Sequence, residues 1–391
     1  MMKISTSLVV ALGLVSVAGC KSKHEEGTVQ KPTEGVQKDT GSAGASMKAP
    51  EEKPLTGADL AAKYQKCIGQ INDGKFEDFK KDCMSGEYAV HQYGQDMKGS
   101  DMVIGWFNAM KKAMPDWKMM PQIVLVDGRN ILAVNLTTGT HSGELAMPGM
   151  PPIPATNKKI GMFFVHKLAI NEQNKATEEW GFDDPGTMMG QLGLSPKDAP
   201  PSRPAVDKGI DGAPILVVTA DDAKEKANLE TFKKGMDAVN SHKLPDIMAT
   251  MTDDAIEADM AEGADRKGKK DIEAGMKGFL TAFPDVKVTA SEMHAAGDWV
   301  IAIGKMEGTN TGDMGKMKKT GKKVSLDYAE VAMLKDGKIA QLWRFRSGMQ
   351  AAMQMGLMPA PGAAPAAGSA APAAGSAAAP AAGSAAAPAT K

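Results

Sequence analysis

An acid pair, Asp183-Asp184, closes the segment Trp180-Gly-Phe-Asp-Asp184, and Gln191-Leu192-Gly193-Leu194 follows it. Later the chain reads Trp343-Arg-Phe-Arg-Ser347, then Gln354-Met355-Gly356-Leu357. Trp, Gln, Gly and Leu stay in register, but the acid at Asp184 becomes the hydroxyl of Ser347. A carboxylate in apolar surroundings can hold and release a proton near neutral pH; a lone serine hydroxyl cannot. The histidines follow the same contrast. Gly139-Thr140-His141 is matched by Gly308-Thr309-Asn310, and His166 by Glu330. No two histidines have the close helical spacing of a ligand cluster, so no metal is expected, and no cofactor either.

These matches belong to a repeat. Met114-Pro115-Asp116 recurs as Phe283-Pro284-Asp285 with the same offset as Gly139 and Gly308, 169 residues (284 − 115 and 308 − 139). Asn72 with Lys75 recurs as Asn240 with Lys243. Each copy has the size of one ordinary domain, so this is a tandem of two domains and not a solenoid of short units. The expected organisation is a signal peptide at 1–19, a disordered tether at 20–55, a first domain at 56–194, a Pro-rich linker at 195–214, a degenerate second domain at 215–358, and a disordered Ala/Pro/Gly/Ser tail at 359–391. The tether lacks the large apolar groups needed to offset its ordering entropy.

The N-terminus has Lys3, an apolar run from Leu8 to Val17, and small residues before Cys20. That run is too short for a spanning helix and reads as a secretory signal. Val17-Ala18-Gly19-Cys20 resembles the lipobox of bacterial lipoproteins. The resemblance implies cleavage before Cys20, lipid on that residue, and attachment to a membrane. Lys21, in place of an Asp, implies the outer membrane of the cell envelope. Export also permits disulfides. Cys67 and Cys83 flank the turn signal Asn72-Asp73-Gly74, whereas the second copy has Gly235 and Met251 there. They are expected as a disulfide or as two buried thiols. The formal charge of −1 excludes a basic nucleic-acid surface. The 29 methionines suit adaptable core filling or a pocket for a greasy ligand.

The elements that must position these residues follow from periodicity. Apolar spacing predicts helices over Leu60 to Gln70, Phe76 to Cys83 and Ser100 to Met114, the last stopped by Pro115. Strands are predicted at Tyr88 to His91, Gln122 to Val126, Ile131 to Thr140, Lys159 to Ile170 and Ala176 to Phe182, with a hairpin turn at Asp127-Gly128. Helices first and antiparallel strands afterwards give an α+β domain. Its curved sheet should enclose a concave site. This order, with Met/Phe-Pro-Asp, Gly-Thr-His-x-Gly, a Lys-Lys strand and Trp-x-x-x-Asp before Gln-Leu-Gly, resembles the SnoaL-like polyketide cyclase family. That family belongs to the nuclear transport factor 2-like superfamily. The resemblance covers residues about 60–194 and 222–358 and implies two tandem cone-shaped domains, each with helices packed on a curved antiparallel sheet.

The family's cyclases close rings by an aldol step with an Asp as acid and base. The resemblance places that carboxylate at Asp184, with His141 and His91 as accessory polar groups in the same cavity. Trp180 and Met162 would wall the pocket and Met150 would rim it. Each has a structural alternative. Asp184 precedes Pro185-Gly186 and can cap the following helical turn, and Asp183 competes for either role. His141 can brace a neighbouring loop, Trp180 can be core, and His166, paired with Glu330, suggests an outward polar slot. Two functions follow: an envelope lipoprotein that binds a small apolar ligand or a protein partner, or a cyclase/isomerase acting through Asp184. The two domains are expected to pair with each other through their sheets. Radioactive palmitate should label the wild type and not Cys20→Ala; equal label on both would contradict lipidation.

Overall fold

The computed structural model describes residues 53–146, 152–196, 199–315 and 317–358. The signal segment, Cys20, most of the tether, Met150 and the tail lie outside the described residues. Among the described residues no helix is long and apolar enough to cross a membrane.

The first unit begins with α1 (Gly57–Asn72), α2 (Phe76–Cys83), β1 (Met84–Gln92), β2 (Gln95–Lys98) and α3 (Ser100–Ala113). It continues with β3 (Lys118–Asp127), β4 (Asn130–Thr140), β5 (Lys159–Ile170), β6 (Ala176–Phe182) and α4 (Pro185–Gln191). After the linker come β7 (Ile215–Val218), α5 (Ala223–Asn240), α6 (Leu244–Ala249), β8 (Met251–Asp259), β9 (Arg266–Lys267) and α7 (Lys269–Ala282). The second unit ends with β10 (Lys287–Ala296), β11 (Trp299–Thr309), β12 (Lys323–Lys335), β13 (Lys338–Arg346) and α8 (Gly348–Gln354). Each predicted helix and strand of the first copy is present, and the second repeats the order.

The first sheet runs β2-β1-β6-β5-β4-β3-β7 and the second β10-β11-β12-β13-β8-β9. Neither is wholly antiparallel as expected. β1 runs parallel to β6 and β8 parallel to β13, because helices separate these strands in sequence and bring them round to the far edge. β7 pairs in parallel with β3, so residues 215–218, assigned from sequence to the second domain, complete the first sheet.

Side-chain parity explains the layers. In β3, Val124 and Val126 point to the helices while Ile123 and Leu125 point the other way; in β4, Ile131 and Ala133 face the helices and Leu132 and Val134 do not. The second copy sorts Val300 and Ala302 from Ile301 and Ile303 in the same manner. The outward sets meet. Ile123, Leu125, Leu132 and Val134 share one core with Ile301, Ile303, Val331 and Phe345. The centres of both sheets are thus covered on both faces, which is why β3, β4 and β11 carry continuous apolar runs (123–126, 131–134 and 300–303) rather than alternating ones. Polar contacts border this joint. Asp127 Oδ2 lies 2.7 Å from His294 Nδ1, Lys167 pairs with Glu292, and Gln350 Nε2 donates to Tyr93 O at 3.1 Å.

Cys67 on α1 and Cys83 at the end of α2 form a disulfide, with Cα atoms 6.1 Å apart. Closing a loop of this length stabilises a fold by about 3 kcal/mol, chiefly by restricting the unfolded chain. The double variant Cys67→Ser, Cys83→Ser should therefore unfold at lower urea, with a loss of that order in the first domain. An unchanged midpoint would contradict it.

Candidate functional site

Each unit encloses a cavity between its helices and the inner sheet face, and the two cavities differ in kind. The first holds about 60 Å³. Its apolar wall includes Leu60, Ile68, Phe107 and the Cys67–Cys83 bridge. Its polar residues satisfy one another. Tyr64 OH donates to Asn135 Oδ1 at 2.9 Å and lies 2.8 Å from His166 Nε2, while His166 Nδ1 lies 2.9 Å from Glu179 Oε1. The Tyr88 hydroxyl donates to the other Glu179 oxygen. Burial pushes both tyrosine hydroxyls well above their ordinary pKa. Burial also pushes Glu179 upward, but His166 and Tyr88 outweigh it and hold this carboxyl below the usual range. His166 therefore faces inward, which corrects the expected outward slot.

The second cavity holds about 380 Å³ and is lined by Phe232, Met236, Met276 and Met306 among other apolar residues. The repeat register explains its size. Cys67 is replaced by Gly235, Tyr88 by Ala255 and Phe107 by Met276, while Phe279 and Phe283 stand where Met110 and Met114 stand, so the disulfide staple is gone and the rings are redistributed. One wall is ionic. Arg266 donates to Glu257 Oε1 at 2.5 Å, Arg344 Nε to Glu330 Oε1 at 2.7 Å, and Arg346 Nε to Asp259 Oδ2 at 2.8 Å. All six residues line the cavity. The first copy has Val90, Met97, His166 and Gly181 where Glu257, Arg266, Glu330 and Arg344 stand. Burial raises Asp259, but Arg346 and Arg344 hold it below the ordinary value. Burial disfavours the charge on Arg344, yet Glu330, Glu257 and Asp259 raise its pKa further. Two polar atoms here have no partner: Glu257 Oε2 and the Tyr328 hydroxyl. Burial, reinforced by Glu330, holds that hydroxyl far above its ordinary pKa.

Of the candidate catalytic and pocket residues, Asp184, His141, His91, Trp180 and Met162 line neither cavity. Asp184 is 4 % exposed and caps α4, accepting from Gly186 N at 3.2 Å, Thr187 N at 2.9 Å and Thr187 Oγ1 at 3.0 Å. It also accepts from Met349 N of the second unit at 3.3 Å. Burial raises its pKa, as a proton-transfer role would need. However, it lines neither cavity and its oxygens are committed to backbone and Thr187. The expected cavity carboxylate is thus corrected to a helix cap that also joins the domains. Ser347 caps α8 in the same way, accepting from Gln350 N at 3.1 Å, so the mismatch conserves a cap.

His141 is corrected likewise. Its Nδ1 lies 3.3 Å from Thr156 N and 3.1 Å from Thr156 Oγ1. Asn310 Oδ1 holds Thr320 N and Oγ1 at 2.8 and 3.1 Å. The pair braces the same turn in both copies, and burial depresses the His141 pKa. His91 lies 2.7 Å from Asp96 Oδ1 and stacks on Trp180, their centroids 4.9 Å apart. Trp180 also lies under Lys167 Nζ at 4.2 Å and packs against the shared core between the sheets. Met162 is buried in the first unit's core without lining its cavity. Met150 lies outside the described residues. Among the described residues no group of three or more His, Cys, Asp or Glu is placed to hold a metal.

Sequence reasoning missed Tyr64, Glu179 and the ionic wall of the second unit. The signal for the ionic wall was present in the aligned repeats: Arg344 stands where Gly181 stands and Arg346 where Asp183 stands, so the second copy gains one charge on this strand and reverses another.

The family model described as SnoaL-like polyketide cyclase matches residues 58–192 and 231–355. Among solved structures, a protein from Jannaschia sp. CCS1 described as a SnoaL-like polyketide cyclase is 18% identical, with a TM-score of 0.33, covering 35% of this chain and 97% of its own. IdmH from Streptomyces antibioticus, described as a polyketide cyclase, is 19% identical with a TM-score of 0.30, over 33% of this chain and 98% of its own. An NTF2-like protein from Burkholderia pseudomallei is 14% identical with a TM-score of 0.29, over 33% and 97%. No curated protein matches the chain.

Asp183, which accepts from Gln92 and Tyr93, supplies a pH test of the first unit. Burial, with Asp184 adding and Tyr93 and Gln92 opposing, pushes it up to about 6. Between the ordinary carboxylate value and about 6 the folded chain therefore binds more protons than the unfolded one. Stability then falls as pH rises through that window, by at most about 3 kcal/mol. Asp183→Asn should flatten the melting temperature between pH 4 and 6 and raise it at pH 8. An unaltered pH slope would contradict this.

Proposed function

The chain belongs to the SnoaL-like polyketide cyclase family, and we propose that it is an envelope lipoprotein which binds a small, largely apolar ligand in the cavity of its second domain. The observation that carries this reading is the contrast between the two cavities. The second, at about 380 Å³, lies within the range of small-molecule sites, whereas the first, at about 60 Å³, has room for little more than water. Methionines line the larger one, and their flexible thioethers adapt to varied apolar shapes. No polar residue lining the first cavity has a buried side-chain atom left without a partner, while the second cavity leaves two unpartnered (Glu257 Oε2 and Tyr328 OH).

In this account the first domain is a stapled partner. Its outer sheet face covers that of the second domain, and the pairing of the two domains lets one chain supply the contact that would otherwise need a second copy. The lipobox at Cys20 and the tether hold the pair at the outer membrane. Chemistry through Asp184 has no geometric support, since its oxygens are taken up in capping α4 and meeting Met349.

Gly278 on α7 lines the larger cavity, and a Cβ placed there would meet nothing within 4 Å. Gly278→Leu should occupy the space without harming the helix, since glycine is a poor helix former. Nile red should fluoresce on the wild type and bind the variant at least about tenfold more weakly, a change of about 1.4 kcal/mol, with the melting temperature kept. Equal binding by both proteins would contradict a site in this cavity.

A further inference from the structure

Within the larger cavity, the unsatisfied capacity is hydrogen bonding and not charge. Glu257, Asp259 and Glu330, all deeply buried, each have a close guanidinium partner in Arg266, Arg346 and Arg344. Glu262 is the remaining acid of the wall. It is more exposed, and it pairs with Arg266 and lies 3.8 Å from Arg346. The buried part of the wall is therefore balanced.

What remains are three points. Glu257 is 2 % exposed and its Oε2 accepts no hydrogen bond, with the end of Arg344 at 3.8 Å. Tyr328 is 2 % exposed and its hydroxyl has no partner. Arg344 spends Nε on Glu330, while its terminal nitrogens stand 3.8 and 4.0 Å from Glu257 and Asp259, beyond hydrogen-bond length. A buried acceptor without a donor is costly, and it invites a ligand or water that donates.

Resting on the ligand-binding reading above, we infer that the second domain selects an apolar molecule carrying a neutral hydroxyl head, which donates to Glu257 Oε2 and accepts from Tyr328 or Arg344. A hydroxyl supplies one donor and two acceptor sites, the combination this wall lacks. A carboxylate head would bring a second anion against Glu257 with no donor to offer it. An ammonium head could donate to Glu257 but could accept nothing from Tyr328 or Arg344, and it would crowd a wall whose buried charges are already paired. The apolar methionine side takes the body of the molecule.

The test uses the full chain and four probes of one length: 1-decanol, 1-bromodecane, decanoate and decylammonium, each displacing Nile red. The inference predicts that 1-decanol displaces the dye at about tenfold lower concentration than any of the other three. Tyr328→Phe should cut that advantage several-fold while 1-bromodecane is unaffected; the hydroxyl has no partner in the free protein, so the fold loses no hydrogen bond. Glu257→Gln should abolish the advantage and relax the exclusion of decanoate. Equal displacement by 1-decanol and 1-bromodecane, or preference for either charged probe, would overturn the hydroxyl inference and leave an apolar site. An alcohol advantage that survives intact in Tyr328→Phe and in a folded Glu257→Gln would also overturn it. Failure of every probe to displace the dye, or failure of the dye to bind, would overturn the ligand-binding reading itself.

Discussion

The central strands of each sheet are buried on both faces, and that single constraint organises the rest of the molecule. One face looks into its own helices; the other meets the sheet of the sister domain through Ile123, Leu125, Leu132 and Val134 on one side and Ile301, Ile303, Val331 and Phe345 on the other. Removing side chains of this size from water contributes about 1.5–3 kcal/mol each. With no wet face available, a polar residue on a central strand must be paired inside a cavity or at the edge of the joint. The first unit meets this demand with Tyr64, His166 and Glu179, and the second with interlocked carboxylates and guanidiniums.

The two copies have diverged by redistributing bulk and polarity on a common frame. Caps and braces are kept even where residue type changes: Asp184 and Ser347 cap equivalent helices, and His141 and Asn310 hold equivalent turns. The cavities are not kept. The disulfide, Tyr88 and Phe107 line the first, while Gly235, Ala255 and Met276 stand at the matching positions of the second copy. The copy that lost the acid at position 347 is thus the one with room for a ligand.

Much of the fold was legible in the chain. Helical spacing, the Asn-Asp-Gly turn before α2, Pro115 after α3 and the Asp127-Gly128 hairpin each act locally, and each appears where the sequence put it. The parallel pairing of β1 with β6 and the addition of β7 to the first sheet were not, because they join segments distant in sequence with no local turn chemistry to mark them. The site was less legible still. Asp184 stands at a family position, but whether a strand-end carboxylate turns into the cone or caps the next helix is decided by Pro185-Gly186 and by Met349 from the other domain. The same alignment that drew attention to Asp184 also held Glu330, Arg344 and Arg346, whose meaning depends on which strand face is enclosed.

The central claim is that the ligand site lies inside the second cone. Photocrosslinking of the full chain with a diazirine-bearing long-chain alcohol, followed by peptide mapping, tests it most directly. The account predicts labels confined to peptides that line this cavity, around Met236, Met276 and Met306. Labels on the first domain's helices or along the joint between the sheets, or no saturable label at all, would contradict it.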